Sequence, residues 1–160
     1  MSGDGAKAQR LLFLCTGNYY RSRFAEAWFN HLAKHHGLSW HAGSRALGLD
    51  ENPTLSGPMA ESARAKLQSL GVEKIAPRLP IQVVESELAN ASLVIAIKQA
   101  EHRHRLAAKH PGWEDRVRYW HVHDVDGATP AVALAELETA VCELIDELTS
   151  SPMPPESAQA

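Results

Sequence analysis

The apolar and polar positions of this chain change period at regular intervals. Residues 11–14 (LLFL) form an unbroken apolar run, the pattern of a strand buried on both faces, and the run stops abruptly at Cys15-Thr16-Gly17-Asn18. From Ser22 onward Phe24, Ala25, Trp28, Phe29 and Leu32 recur at helical spacing, and Gly37 supplies a stop. Residues 38–44 read as a second strand. Ser56-Gly57-Pro58 then opens a helix with Met59, Ala63, Leu67 and Leu70 on one face, closed by Gly71. A β-branched run at 93–97 (LVIAI) leads into a polar helical stretch that ends near Lys109, and residues 117–122 read as a further strand. The last helix starts at Thr129-Pro130 and carries Leu134, Leu137, Val141, Leu144, Ile145 and Leu148 along one side. Strands alternating with helices predict an α/β fold in three layers, a parallel sheet covered by helices on both faces.

The ends fall outside this pattern. Residues 1–9 are small and polar and residues 150–160 (SSPMPPESAQA) are rich in Pro and Ser, so both read as disordered tails around one domain at 10–149. A chain of 160 residues, 44% hydrophobic and 22% charged, suits one domain with one core. A net charge of -3 offers no basic stripe for nucleic acid and no polybasic segment for a membrane surface. Without a signal-peptide h-region or a spanning run, the expectation is a soluble, cytoplasmic protein. Cys15 and Cys142 are then expected as free thiols.

Ligands in such sheets bind at the carboxyl ends of the strands, and Cys15 stands at one, directly after Leu14. The segment Cys15-Thr16-Gly17-Asn18-Tyr19-Tyr20-Arg21-Ser22 sets a cysteine and an arginine six positions apart around a loop that opens into a helix. Inward-turned backbone N–H groups and the positive end of the helix dipole form a cradle for a phosphate dianion. Gly17 and Asn18 are residue types that accept left-handed backbone, and Arg21 offers a bidentate fork for two phosphate oxygens. The same field favours a thiolate on Cys15. Ser22 either donates a hydrogen bond to that sulfur or caps the helix. A lone Cys-x5-Arg arises by chance in many proteins. The strand before it, the Gly-Asn inside it and the helix after it are separate requirements of an anion cradle.

FLCTGNYYRSRFAEAWF resembles the N-terminal signature of low-molecular-weight protein tyrosine phosphatases, C-x-G-N-x-C-R-S-P, with weaker likeness at HAGS (41–44) and LVIAI (93–97). The resemblance implies a four-stranded parallel sheet flanked by helices on both faces. It also implies hydrolysis of a phosphorylated protein or small phosphomonoester through a phosphocysteine on Cys15, without metal or other cofactor. Its phosphate-binding residues would be Thr16, Gly17, Asn18, Tyr19, Tyr20, Arg21 and Ser22. The family's general acid is the Asp of an Asp-Pro-Tyr loop after the fourth strand, which aligns with Asp124; Asp126 competes, because the Pro and Tyr are missing here. Both aspartates also suit a plain turn.

Other departures bear on substrate and regulation. Tyr20 stands where the family often has a second cysteine, so a protective disulfide with Cys15 is not expected, and Arg23 replaces the usual Pro. Leu47 stands where an aromatic often walls the cleft, a role open to Tyr19. Cys142 reads as a packing residue. Three alternatives remain. A metallohydrolase could use His121 and His123, which share one face of a strand; His102 and His104 read as solvated helix positions. An arsenate reductase of the same fold needs relay cysteines, which the chain lacks between Cys15 and Cys142. A non-catalytic phospho-ligand module has no need of Cys, Arg and an acid together.

Overall fold

A computed structural model describes residues 9–49, 59–72, 75, 78–97, 99–120 and 130–150, with side chains left aside at 99–101 and 130. Four strands, β1 (Gln9–Cys15), β2 (Trp40–Ala46), β3 (Leu93–Ile97) and β4 (Arg118–Trp120), alternate with five helices: α1 (Arg21–His35), α2 (Glu61–Ser69), α3 (Glu85–Asn90), α4 (Gln99–Lys109) and α5 (Pro130–Ser150). The sheet has the order β2-β1-β3-β4 and every pairing is parallel. This is the expected three-layer α/β architecture.

Strand alternation explains the two cores. In β1, Leu11 and Phe13 face the layer of α1, α2 and α5, where they meet Phe24, Trp28, Phe29, Leu67, Leu137 and Ile145. Leu12 and Leu14 face the other side, with Leu47, Val83, Leu88, Leu106 and Trp113. β3 divides in the same way, Ile95 and Ile97 to the first core and Val94 and Ala96 to the second. Because both central strands are buried on both faces, they read as continuous apolar runs rather than alternations. The edge strand β2 is covered by Asn30 of α1, whose amide donates to Ala42 O at 2.9 Å and accepts from Ala42 N at 2.8 Å. Both backbone groups on that edge are thereby satisfied.

Some boundaries, and one whole helix, differ from expectation. β2 begins at Trp40 rather than 38. The second helix opens at Glu61, with Ala60 extended before it, rather than at Ser56-Gly57-Pro58, which lies outside the described residues. The reason is visible at Ala60, whose N–H donates to Tyr19 O at 2.9 Å and so ties this stretch to the loop after β1. Helix α3 has no counterpart in the sequence reading: six residues with one buried apolar side chain, Leu88, are too few to show a period, and Glu87 closes its first turn by accepting from Val84 N at 3.1 Å.

Candidate active site

With all strands parallel, Cys15, Ala46, Ile97 and Trp120 end at one edge of the sheet. The loop 16–20 leaves β1 at that edge and runs directly into α1. Cys15 is 2% exposed, and its Sγ lies 2.9 Å from Ser22 Oγ in the first turn of α1. Of the two roles expected for Ser22, the structure supports the contact with sulfur; the N-cap position is Tyr20, which makes no side-chain cap bond. The first turn of α1 has no acidic residue, so no carboxylate competes for its N–H groups, and Lys34 and His35 complement the dipole at the far end. Arg21 opens the helix, 8% exposed, with Nη1 3.4 Å from Ile97 O at the end of β3.

Asn18 is the hub of the loop. It is fully buried and is the one described non-glycine residue with left-handed backbone, φ 51°. Gly17, expected to share that conformation, is not among the positive-φ glycines. A short amide side chain tolerates this geometry, and here its four bonds hold it in place. Asn18 Nδ2 donates to Ser22 Oγ and to Ser44 Oγ, both at 2.9 Å, while Oδ1 accepts from Arg78 Nη1 at 3.0 Å and Ile81 N at 3.1 Å. Ser44 Oγ in turn donates to Glu26 Oε1 at 2.5 Å, and Glu26 also pairs with Arg23 and Arg78. Burial lowers the Arg78 guanidinium from its ordinary value, and the Glu26 carboxylate opposes that shift. Arg23, in the position of the family's Pro, is thus a buried partner of Glu26, 2% exposed.

The other side of the loop is held by α4. Thr16 Oγ1 lies 2.9 Å from His102 Nε2, and His102 is fully buried. This corrects the reading of His102 as solvated. It shares the inward face of α4 with Leu106, four residues on, whereas His104 is exposed. Leu47, which stands where the family often has an aromatic, has its side chain fully buried in the second core. Its backbone matters instead, since Leu47 N donates to Cys15 O and Gly48 N to Thr16 O, both at 2.9 Å. Tyr19 is half-buried. Tyr20 packs against the first core, where burial pushes its phenol above the ordinary value against the pull of Arg21.

Asp124, Asp126, His121 and His123 lie outside the described residues, which resume at Pro130 after β4 ends at Trp120. Cys142 is a free, half-buried thiol beside the first core, pushed up by burial. Glu26, Ser44, Arg78 and His102 are site residues that sequence reasoning did not assign. Only Ser44 carried a local signal, at the end of the HAGS strand.

A family model for low molecular weight phosphotyrosine protein phosphatases matches residues 10–148. The chain belongs to that family, which makes it a hydrolase of the phosphatase type. Among solved structures, a low molecular weight protein tyrosine phosphatase from T. tengcongensis superposes with a TM-score of 0.74 at 27% identity, covering 88% of this chain and 100% of its own. YfkJ from Bacillus subtilis gives 0.76 at 23% identity, covering 91% and 98%. The arginine phosphatase YwlE, also known from Bacillus subtilis, gives 0.72 at 22% identity, covering 90% and 98%, in a cysteine-to-serine mutant with a phosphorylated active-site serine. No curated protein matches the chain.

Proposed function

We propose that the protein hydrolyses phosphomonoesters, with protein phosphotyrosine as the substrate class, through a phosphocysteine on Cys15. The observation that carries this reading is the 2.9 Å contact of Ser22 Oγ with Cys15 Sγ, at the mouth of a helix whose first turn holds Arg21 and no acid. A hydroxyl donating to sulfur, the helix dipole and a nearby guanidinium all favour a thiolate. The thiolate attacks phosphorus while Arg21 and the N–H groups of loop residues 16–22 hold the equatorial oxygens. The bond to the leaving oxygen breaks, and Asp124 gives that oxygen its proton. Asp124 then takes a proton from water, which attacks the phosphocysteine and releases inorganic phosphate and the free thiolate. No step requires a metal or other cofactor.

The test is turnover of an aryl phosphate, a phosphotyrosine peptide, phosphoarginine and arsenate by the wild-type chain and Cys15→Ser. The account expects the first two to be hydrolysed, Cys15→Ser to be inactive, and EDTA to change nothing. Preference for phosphoarginine would keep the mechanism and replace the substrate class. Arsenate reduction without phosphatase turnover, or activity lost to EDTA and restored by zinc, would overturn the proposal. Asp124→Asn should slow phosphotyrosine, a poor leaving group, by a factor of about 10² to 10⁴, and activated aryl phosphates far less. The same signature in Asp126→Asn would move the acid to Asp126.

A further inference from the structure

We infer that Arg78 is a positioning residue for the Cys15 thiolate, acting through Asn18 and Ser22. The inference rests on the reading of Cys15 as the nucleophile. It comes from the direction in which the hydrogen bonds of the buried network must run. A guanidinium and a backbone N–H can only donate, so the Asn18 amide atom facing Arg78 Nη1 (3.0 Å) and Ile81 N (3.1 Å) is its carbonyl oxygen. The NH2 of Asn18 therefore points the other way, toward Ser22 Oγ and Ser44 Oγ. Each hydroxyl has one hydrogen. Ser44, which receives from Asn18 and from Arg78 Nη2 at 2.9 Å, gives its hydrogen to Glu26. Ser22, which receives from Asn18, is left to give its hydrogen to Cys15 Sγ at 2.9 Å. The sulfur is thus set as an acceptor, the role a thiolate fills better than a thiol.

Arg78 is suited to fix this polarity. It is anchored by Glu26 Oε1 at 3.1 Å and by Ser44 O at 2.8 Å, bonds that hold its fork while one arm reaches Asn18. The stretch after it is pinned to the end of β2, where Ala46 N donates to Ile81 O at 2.7 Å and Val83 N to Ala46 O at 2.9 Å. A charged donor on the amide oxygen polarises the amide N–H bonds, which in turn polarise the Ser22 hydroxyl.

The experiment is the pH dependence of Cys15 alkylation by iodoacetamide, followed on the Cys15 peptide by mass spectrometry so that Cys142 does not contribute. It needs no turnover, so it separates this inference from the proposed reaction. The midpoint of that dependence in wild type is the reference for the variants. Arg78→Met should raise that midpoint by roughly half to one pH unit, the scale of losing a charged donor three hydrogen bonds from the sulfur. In a Ser22→Ala background the same substitution should add no further shift, because the relay is already cut. An ordinary midpoint in wild type would overturn the thiolate reading and this inference with it. A low wild-type midpoint that Arg78→Met leaves unchanged, or a shift of equal size in the Ser22→Ala background, would overturn the role of Arg78 alone; the latter would mark a through-space charge effect. If Arg78→Met does not fold, Arg78→Lys, which keeps the charge and loses the fork, is held to the same two criteria with a smaller shift expected.

Discussion

The loop between β1 and α1 is gripped from two sides, and the grips are unlike. Toward β2, Asn18 is enclosed by four hydrogen bonds that tie it to Ser22, Ser44, Arg78 and Ile81, with Glu26 gathering Ser44, Arg23 and Arg78 behind them. Toward α4, Thr16 Oγ1 meets His102 Nε2 at 2.9 Å. Asn18, Ser22, Ser44 and His102 are buried, so a polar group left unpaired on any of them costs stability. The difference is what each side controls. The β2 side fixes a strained left-handed residue and the hydrogen bond to sulfur; the α4 side steadies the residue next to the nucleophile. A fully buried hub with four hydrogen bonds on the one side and a half-buried threonine on the other predict unequal responses to mutation.

Asn18→Ala is expected to be the most damaging change. It removes four hydrogen bonds, two of them buried, each worth about 0.5–1.5 kcal/mol, and puts a residue with no local hydrogen bond at φ 51° for about 1 kcal/mol more. Urea unfolding should show a loss of roughly 3 kcal/mol or more, together with at least a hundredfold fall in aryl phosphate turnover. A change under about 1 kcal/mol would dissolve the contrast between the two sides. Ser22→Ala comes next: it removes one bond to sulfur and one acceptor of Asn18, so turnover should fall by about 10- to 100-fold while stability drops by only about 1–2 kcal/mol.

His102→Leu should matter least, with turnover reduced less than about fivefold and a cost near 1 kcal/mol from the lost bond to Thr16. A large kinetic defect in His102→Leu would make the α4 side the equal of the other.

The sequence made one side of this site far more readable than the other parts. Cys15 to Ser22 are contiguous, and the loop chemistry of Gly-Asn and Arg before a helix is local, so the proposed nucleophile and clamp and the observed serine contact come from a short window. The sheet was legible for a similar reason: runs such as LLFL and LVIAI declare strands buried on both faces. What escaped were partners brought in from afar. Arg78 is 60 positions from Asn18 and His102 is 86 from Thr16, and nothing in either neighbourhood signals that contact. His102 was misjudged because α4 is polar overall, and the spacing to Leu106 that turns it inward spans a single helical turn. Leu47 was read by its position in a family pattern, yet its backbone, rather than its side chain, serves the loop.

The central claim is that phosphate passes through the Cys15 sulfur. Rapid acid quench of wild-type protein during turnover of an aryl phosphate, followed by peptide mapping, tests it directly. The account predicts a phosphorylated peptide containing Cys15, formed in a burst and absent from Cys15→Ser as a thiophosphate, with Asp124→Asn prolonging its life. Phosphate on any other residue, or steady turnover by Cys15→Ser at a rate near that of wild type, would contradict it.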